Sequence, residues 1–117
     1  MGDRRYRSHE RLRSSHEYQL AKRMGRRIRT AHFTINLRPN DLPHHRLGMV
    51  VQKRFWHAVE RNRIKRRLRE WFRTHKHRIP MPGKDLVFVA RPGAEIMPVD
   101  EIDREVVLKL TAQDEKV

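Results

Sequence analysis

The sequence predicts an α+β fold, an α/β sandwich in which helices cover a sheet of about three or four strands. Apolar and polar residues alternate at residues 31–38, which is the pattern of a half-buried strand. At residues 58–76, apolar residues recur at spacings of three and four, the pattern of an amphipathic helix. The chain has 117 residues, of which 37% are hydrophobic. That content supports one modest core and therefore a single domain.

Three regions of the chain differ in composition. Residues 1–13 are polar and basic without periodicity, and they predict a flexible basic arm. The folded domain is expected at residues 14–112, followed by a short tail at residues 113–117. The chain contains no Cys, which excludes disulfides, thiolate nucleophiles and zinc sites built on Cys.

A first helix and a first strand are predicted in the N-terminal third. Ser14 and Ser15 are candidate N-caps and Gly25 is a candidate stop, so we expect a helix at about residues 15–24. In the strand at residues 31–38, the odd-numbered side chains (Ala31, Phe33, Ile35 and Leu37) should face the core. The even-numbered side chains should face solvent or a ligand.

The remaining elements follow the same logic. Residues 47–51 are apolar on both faces and predict a central strand, antiparallel to the first. A long helix is expected at residues 58–76, and a third strand at residues 86–90. The spacing of Ile102, Val106 and Leu110 predicts a C-terminal amphipathic helix that begins near Asp100.

The charge of the chain is large and uneven. The formal net charge is +14 and the pI is about 11.4. Residues 1–80 hold 23 basic and 6 acidic residues, whereas residues 81–117 hold 5 and 8. Such an excess on one part of a chain favours a polyanionic partner, with nucleic acid first and an anionic membrane surface second. No signal peptide or membrane span is recognisable, so a cytoplasmic protein is expected.

The stretch Arg61–Arg73 concentrates this charge on one predicted helix. Seven of its thirteen residues are Arg or Lys. An apolar stripe on the same helix predicts its core face, formed by Ile64, Leu68, Trp71 and Phe72. The opposite face is cationic, and Arg guanidinium groups suit phosphate recognition. Phe55 and Trp56, just before this helix, fit either a core position or base stacking.

Metal and nuclease sites have little support in the sequence. Eight His are present, but no helix-borne His-x-x-x-His pair has a nearby acid, so no metal site in the protein is expected. A self-sufficient nuclease would need paired carboxylates or a metal. The acidic residues cluster at residues 95–105, away from the basic region in sequence.

The run at residues 46–73 resembles the bacterial ribonuclease P protein subunit family. The family's RNRxKRxxRE signature is present as Arg61-Asn62-Arg63, Lys65-Arg66 and Arg69-Glu70. The resemblance covers about residues 11–112. It includes an R-x-G strand (Arg46, Gly48), a K-D strand (Lys84, Asp85) and an R-L opening whose aromatic position is Tyr18.

The resemblance implies a fold and a function. The fold is α-β-β-β-α-β-α, like a ribosomal-protein domain, with a left-handed βαβ crossover. The function is that of the protein subunit of ribonuclease P, which pairs with a catalytic RNA and promotes endonucleolytic removal of the 5′ leader from precursor tRNA. The RNA subunit and the Mg²⁺ it binds would carry the hydrolysis, with no catalytic residue, membrane or obligate protein partner for the protein. The alternative is a ribosomal or other structured-RNA-binding protein of the same fold.

Site residues are implied by position. The RNA subunit would be contacted by Arg61, Asn62, Arg63, Lys65, Arg66 and Arg69, assisted by Lys53 and Arg54. A cleft for the leader would be formed by Tyr18, Lys22, His32, Thr34 and Asn36. The sequence departs from the family at Lys22 and Asn36, where aromatic residues are common, and at Trp56-His57, which replaces Gly-Asn.

Overall fold

The computed structural model describes residues 8–115 and confirms the α+β fold. The elements, in the α-β-β-β-α-β-α order that the resemblance implies, are α1 (Ser15–Met24), β1 (Arg26–Arg29), β2 (Phe33–Pro39), β3 (Arg46–Val50), α2 (Ala58–His75), β4 (Lys84–Ala90) and α3 (Val99–Glu115). The four strands form one sheet in the order β1-β2-β4-β3, and the three helices cover it. Within the described residues no helix is long and apolar enough to cross a membrane.

The two faces of the sheet bury different sets of side chains. On β4, Leu86 and Phe88 belong to the main core, which α2 and α3 cover. Val87 belongs to a smaller apolar cluster with Leu12 and Ala21, and Val89 packs against that cluster. This period-two alternation divides the molecule into three layers, with α1 alone on the second face.

Helix α1 has the bounds that the sequence predicts. The Ser14 hydroxyl accepts a hydrogen bond from the Glu17 N–H at 3.1 Å, and the Glu17 side chain faces the Ser14 N–H in return. This capping box satisfies N–H groups that the first turn leaves without partners. At the other end, the Gly25 N–H donates to the Ala21 carbonyl at 3.0 Å.

The first hairpin corrects two predictions. Strand β1 has a single buried residue, Ile28, between basic neighbours, and this pattern is too short to signal a strand. Strand β2 begins at Phe33, so the predicted core position Ala31 is exposed. Ala31 lies in the turn that joins the strands, where the Thr30 N–H donates to the Phe33 carbonyl at 2.8 Å. Phe33, Ile35 and Leu37 are buried as predicted.

The predicted central position of the strand at residues 47–51 is wrong, whereas its predicted direction is correct. Strand β2 is antiparallel to β4 and β3 is parallel to β4, so β3 runs antiparallel to β2. Strand β3 lies at an edge of the sheet, pairs in parallel with β4, and forms an isolated bridge with Arg11 on its other side. Helix α2 joins the two strands, and a helical crossover is the connection that parallel neighbours need. Strand β3 is apolar on both faces because α2 covers one face and the side chains of Leu12 and Tyr18 cover the other. The handedness of this crossover stays a prediction.

Residues 8–13 of the predicted arm are built into the fold. Residues Ser8–Glu10 form a 3-10 turn, and the buried carboxylate of Glu10 pairs with Lys76 Nζ at 2.6 Å. The Leu12 N–H donates to the Leu47 carbonyl at 3.0 Å. Residues 1–7 of the predicted arm lie outside the described residues. At the other end, α3 runs to Glu115 and so takes in part of the predicted tail.

Candidate nucleic-acid interface

Helix α2 is anchored by its apolar stripe. Ile64, Leu68, Trp71 and Phe72 are at most 1% exposed, as their spacing predicts. The Trp71 Nε1–H donates to Asp103 Oδ1 of α3 at 3.0 Å, so Trp71 is a core residue and not a platform for bases. The anchored face fixes the rotation of the helix and directs the basic face outward.

The six predicted interface residues on α2 all reach the surface. Asn62 and Arg66 are exposed, and the other four, Arg61, Arg63, Lys65 and Arg69, are half-buried. They occupy about two and a half turns of a helix whose backbone is fixed by the core. A rigid array of guanidinium groups is suited to the phosphates of a folded RNA.

Two other cations of α2 have structural partners. The Arg67 guanidinium donates to the carbonyls of Glu95 and Met97 at 3.0 and 3.1 Å. Arg73 pairs with Glu70, and the hydrogen bond from Arg73 lowers the pKa of that carboxyl. The cationic face is therefore narrower than the count of basic residues suggests.

The connection before α2 presents two cations and one aromatic ring. Lys53 and Arg54 are exposed, and the Arg54 guanidinium carbon lies 4.7 Å from the centroid of the Phe55 ring. Phe55 is exposed, whereas Trp56 is buried and its Nε1–H donates to Glu95 Oε1 at 2.8 Å. Trp56 is thus a core residue, and of the two aromatics only Phe55 is available to a base.

The replacement of Gly-Asn by Trp56-His57 leaves the backbone unstrained. Among the described residues other than Gly, only Asp41 has a positive φ, at 59°. His57 has φ −74° and ψ 167°, and its N–H donates to Glu60 Oε1 at 3.1 Å. The bend into α2 is therefore extended backbone, which residues other than Gly adopt freely.

A cleft of about 340 Å³ lies between α1 and the sheet. Its floor comes from neighbouring strands, because Asn36 pairs with both Arg27 and Val87. Four of the five predicted cleft residues line it, and sequence reasoning missed Gln19, Arg27 and Gln52. The described lining residues are Tyr18, Gln19, Lys22, Arg27, Thr34, Asn36, Val50, Gln52, Val87 and Val89.

His32 is the one predicted cleft residue that is not among the described residues lining the cleft. It lies in the turn before β2, so the alternation of the strand does not extend to it. Its Nδ1 lies 2.8 Å from Glu105 Oε1 of α3, and its N–H donates to Glu105 Oε2 at 2.8 Å. The structure thus assigns His32 to the contact between the hairpin and α3.

Asn36 places a buried amide in the cleft. The residue is 4% exposed, and its Oδ1 has no hydrogen-bond partner among the described residues. A buried polar atom without a partner costs free energy, commonly about 1–3 kcal/mol, so native proteins seldom keep one without a use. The atom marks a place where a ligand or water would complete the hydrogen bonding.

Tyr18 packs directly on β3. Its Oη accepts the Met49 N–H at 3.1 Å and lies 3.5 Å from the Leu12 carbonyl. A Cβ at Gly48 would lie 2.9 Å from Tyr18 Cζ, so the glycine of the R-x-G strand makes room for the ring. Tyr18 is half-buried and contributes one wall of the cleft.

A partly buried ion-pair network ties α1 to the sheet beside Tyr18. Arg46 donates to both carboxylate oxygens of Asp85, at 2.8 and 2.7 Å, and to Glu17 Oε2 at 2.6 Å. The hydrogen bonds that Arg46 donates to Asp85 and Glu17 raise the pKa of Arg46 against its partial burial. Burial alone would raise the pKa of Glu17, but hydrogen bonds from backbone N–H groups and Arg46 lower it. The R-x-G and K-D motifs meet here, since Arg46 and Asp85 are register partners.

Comparison with known proteins identifies the family. The family model for ribonuclease P matches residues 6–112. The chain belongs to the ribonuclease P protein family. This membership decides against the alternative of a ribosomal or other structured-RNA-binding protein of the same fold.

Two similar proteins, both named ribonuclease P protein component, match this chain over nearly their whole length. The ribonuclease P protein component of Syntrophobacter fumaroxidans is 57% identical over 116 residues, covering 99% of this chain and 98% of that protein. The ribonuclease P protein component of Syntrophus aciditrophicus is 39% identical over 108 residues, covering 92% and 90%. The chain is thus a protein subunit of the ribonucleoprotein that processes the 5′ end of tRNA, and an RNA subunit is its partner.

Solved ribonuclease P proteins share the fold. The protein from Thermotoga maritima superposes with a TM-score of 0.77 at 30% identity, covering 88% of this chain and 96% of that one. The protein from Staphylococcus aureus gives a TM-score of 0.75 at 32% identity, covering 87% and 94%.

Proposed function

We propose that the chain promotes leader removal by binding two RNAs on two surfaces. The basic face of α2 docks on the catalytic RNA, and the cleft between α1 and the sheet takes the single-stranded 5′ leader of precursor tRNA. The observation that carries the proposal is the separation of these surfaces. One is an outward row of cations, and the other is a cleft with an aromatic wall and an unpartnered buried amide.

Docking through α2 rests on the phosphate contacts of its surface residues. Arg61, Arg63, Lys65, Arg66 and Arg69 provide five cations, Asn62 an amide, and Lys53 and Arg54 extend the row. Phosphate contacts release condensed counterions, so the affinity for RNA falls steeply as salt rises. Between Arg61 and Arg69 the helix carries no acidic residue. Glu60, just before this stretch, accepts the His57 N–H, and Glu70, just after it, is paired with Arg73.

Leader binding rests on the composition of the cleft. Its floor has an apolar part, Val50, Val87 and Val89, beside the polar atoms of Thr34 and Asn36. Tyr18 offers a ring on which a base can stack, an interaction worth about 1–3 kcal/mol per base. Lys22 and Arg27 at the rim supply charge for the phosphates. Unpaired RNA offers the base faces and base edges that such a site requires.

Hydrolysis is assigned to the RNA subunit in this proposal. The acidic residues near the functional surfaces are engaged in the structure: Glu17 and Asp85 with Arg46, Glu95 with Trp56, and Glu105 with Thr30 and His32. Among residues 8–115 no group of three His, Asp or Glu side chains is arranged to hold a metal ion. We therefore propose that Mg²⁺ is bound mainly by the RNA. We also propose that the protein works in the cytoplasm and needs no obligate protein partner.

Reconstitution tests this function. The chain is mixed with its catalytic RNA and precursor tRNA at low Mg²⁺, and cleavage is compared with that by RNA alone. Clear stimulation is expected, and its absence would refute the proposal.

Tyr18→Ala should weaken binding of precursor tRNA more than binding of mature tRNA, because only the precursor has a leader. Equal losses for both would refute the cleft assignment.

A further inference from the structure

Phe55 places an exposed aromatic ring on the connection that leads into α2. Its side chain is 43% exposed, whereas the described Trp side chains and the other described Phe side chains are buried. A single exposed apolar residue is common on protein surfaces and has no meaning by itself. What matters at Phe55 is how the ring is held and which groups surround it.

The ring of Phe55 is held by the turn that carries it and by Trp56. The Phe55 N–H donates to the Gln52 carbonyl at 3.3 Å, which closes the turn at residues 52–55. The Trp56 ring meets the Phe55 ring edge to face, with 5.6 Å between the ring centroids. Phe55 therefore has a fixed position before any ligand binds, and this lowers the entropic cost of binding.

Trp56 is itself anchored in the core. It is buried, and Glu95 Oε1 accepts both the Trp56 Nε1–H at 2.8 Å and the Gly93 N–H at 2.9 Å. The hydrogen bond from Trp56 lowers the pKa of Glu95, so the anchor is a carboxylate at neutral pH. Trp56 stands where the family commonly has Gly, and Gly has no side chain to contact Phe55. The held ring is thus a property of this chain.

Two exposed cations lie next to the ring in the same turn. The Arg54 guanidinium carbon lies 4.7 Å from the Phe55 ring centroid, and Arg54 Nε donates to Gln52 Oε1 at 2.9 Å. Neither of these partners is an acid. Lys53 is exposed beside them. Aromatic rings and guanidinium planes both stack on unpaired bases, and cations bind the adjoining phosphates. The turn therefore combines the groups that suit one unpaired nucleotide.

The position of Phe55 favours the catalytic RNA as the source of that nucleotide. Phe55 is not among the described residues that line the leader cleft. It lies two residues before His57, the N-cap of α2, and the basic face of α2 docks on the catalytic RNA in the function proposed above. Folded RNAs present unpaired bases in loops and bulges, next to the phosphates of their helices.

We infer that Phe55 stacks on an unpaired base of the catalytic RNA, while Arg54 and Lys53 bind the phosphates beside that base. The inference rests on the proposed function, because it takes the docking of α2 on this RNA as given. Contacts to phosphates alone would allow the basic face to bind at many places on a large RNA. A stacked base selects one of them, since it requires an unpaired nucleotide at a fixed distance from α2.

Substitution of Phe55 tests the stacking through the affinity of the full chain for its catalytic RNA at several salt concentrations. Phe55→Leu keeps an apolar side chain but removes the ring. The affinity should fall by about fivefold to a hundredfold at every salt concentration, without a change in the salt dependence. Phe55→Trp should retain the affinity. Lys53→Ala should instead reduce the salt dependence, because it removes a phosphate contact.

Leu108→Ala is the matched control, since Leu108 is an exposed apolar residue on α3. It should leave the affinity for the catalytic RNA unchanged. Thermal melts show that each variant folds. An affinity that Phe55→Leu leaves unchanged overturns the inference. A loss confined to the binding of precursor relative to mature tRNA by the holoenzyme also overturns it, because the stacked base would then belong to the leader.

Chemical probing of the catalytic RNA gives a second measurement. Acylation of 2′-hydroxyl groups reports how flexible each nucleotide is. At saturating protein, one unpaired nucleotide should lose flexibility with the unaltered chain and with Phe55→Trp, and regain it with Phe55→Leu. The same pattern for all three proteins would contradict the inference. If the unaltered chain bound the RNA but did not stimulate cleavage, the proposed function would fail while both of these measurements could still be made.

Discussion

Asn36 and Gly48 are single residues whose identity follows from the cleft and not from the core. An apolar side chain of similar size at position 36 would leave no orphan oxygen. A methyl group at position 48 would collide with Tyr18 and Leu12. Substitution of either residue should therefore change the free energy of unfolding, an effect that binding measurements alone would not detect.

Asn36→Leu should raise the free energy of unfolding of the free protein by about 1 kcal/mol, because it removes an unpartnered buried oxygen. It should also weaken the binding of precursor tRNA. Chemical denaturation and tRNA binding measure the two effects. Asn40→Leu is the matched control, since its amide donates to His44 O and Asp85 Oδ1 and its Oδ1 accepts from the Leu42 N–H. Asn40→Leu should be destabilising, and an equal destabilisation by Asn36→Leu would contradict the expectation.

Gly48→Ala should destabilise the protein by about 1–3 kcal/mol, the usual cost of overpacking. Its new Cβ would lie 2.9 Å from Tyr18 Cζ and 3.0 Å from Leu12 Cδ1. The double variant with Tyr18→Ala should lose less than the two single losses together, because the main obstacle is gone. Thermal unfolding of the three variants measures this. Strictly additive losses would show that Tyr18 is not what position 48 accommodates.

Elements with a long, regular pattern could be predicted from the sequence, whereas their arrangement could not. Helix α2 shows both its buried stripe and its basic face by periodicity alone. Strand β1 is too short and too basic to be recognised, and the edge position of β3 depends on pairing with β4, far away in sequence. The cleft follows the same rule. The family resemblance identifies Tyr18 and the strand alternation identifies Thr34 as cleft residues, but Arg27 lies on β1, which the sequence pattern does not reveal.

Arg66 and Arg67 are neighbours on α2 that should behave differently. Arg66→Ala removes an exposed cation, so it should weaken binding to the catalytic RNA and lower the salt dependence of that binding by about one phosphate contact. Arg63→Ala should act similarly. Arg67→Ala removes hydrogen bonds to two carbonyls and should instead lower the melting temperature. Affinity titrations at several salt concentrations, with thermal melts, separate the two. Equal salt effects for Arg66→Ala and Arg67→Ala would contradict the division of the face.

At the scale of the whole molecule, an acidic residue in the last third of the chain connects α3 to the hairpin formed by β1 and β2. Glu105 of α3 receives the Thr30 hydroxyl at 2.5 Å and the His32 N–H at 2.8 Å. Burial alone would raise the pKa of Glu105, but these hydrogen bonds and the His32 ring outweigh it and lower the pKa. The contact holds the hairpin that carries the cleft floor in place.

The stability of this contact should depend on pH in the acidic range. A carboxyl group whose pKa is lower in the folded state stabilises the protein above its ordinary pKa of 4.5 and ceases to do so as pH falls through the folded value. Glu105→Gln should therefore lower stability at neutral pH and flatten the loss of stability between about pH 5 and pH 3. Urea denaturation across that range measures it. Glu101→Gln, exposed on the same helix, is the control, and an equal flattening there would refute the role of Glu105.

The contact of residues 11–12 with β3 should also affect the solubility of the protein in the absence of RNA. Strand β3 is the last strand on its side of the sheet, and an open edge invites pairing with another chain. The Leu12 N–H occupies the Leu47 carbonyl on that edge, and Leu12 covers apolar surface next to it. The N-terminal segment thus covers part of this edge, so a version that begins at Ser14 should lose solubility as well as the five arginines of residues 1–13.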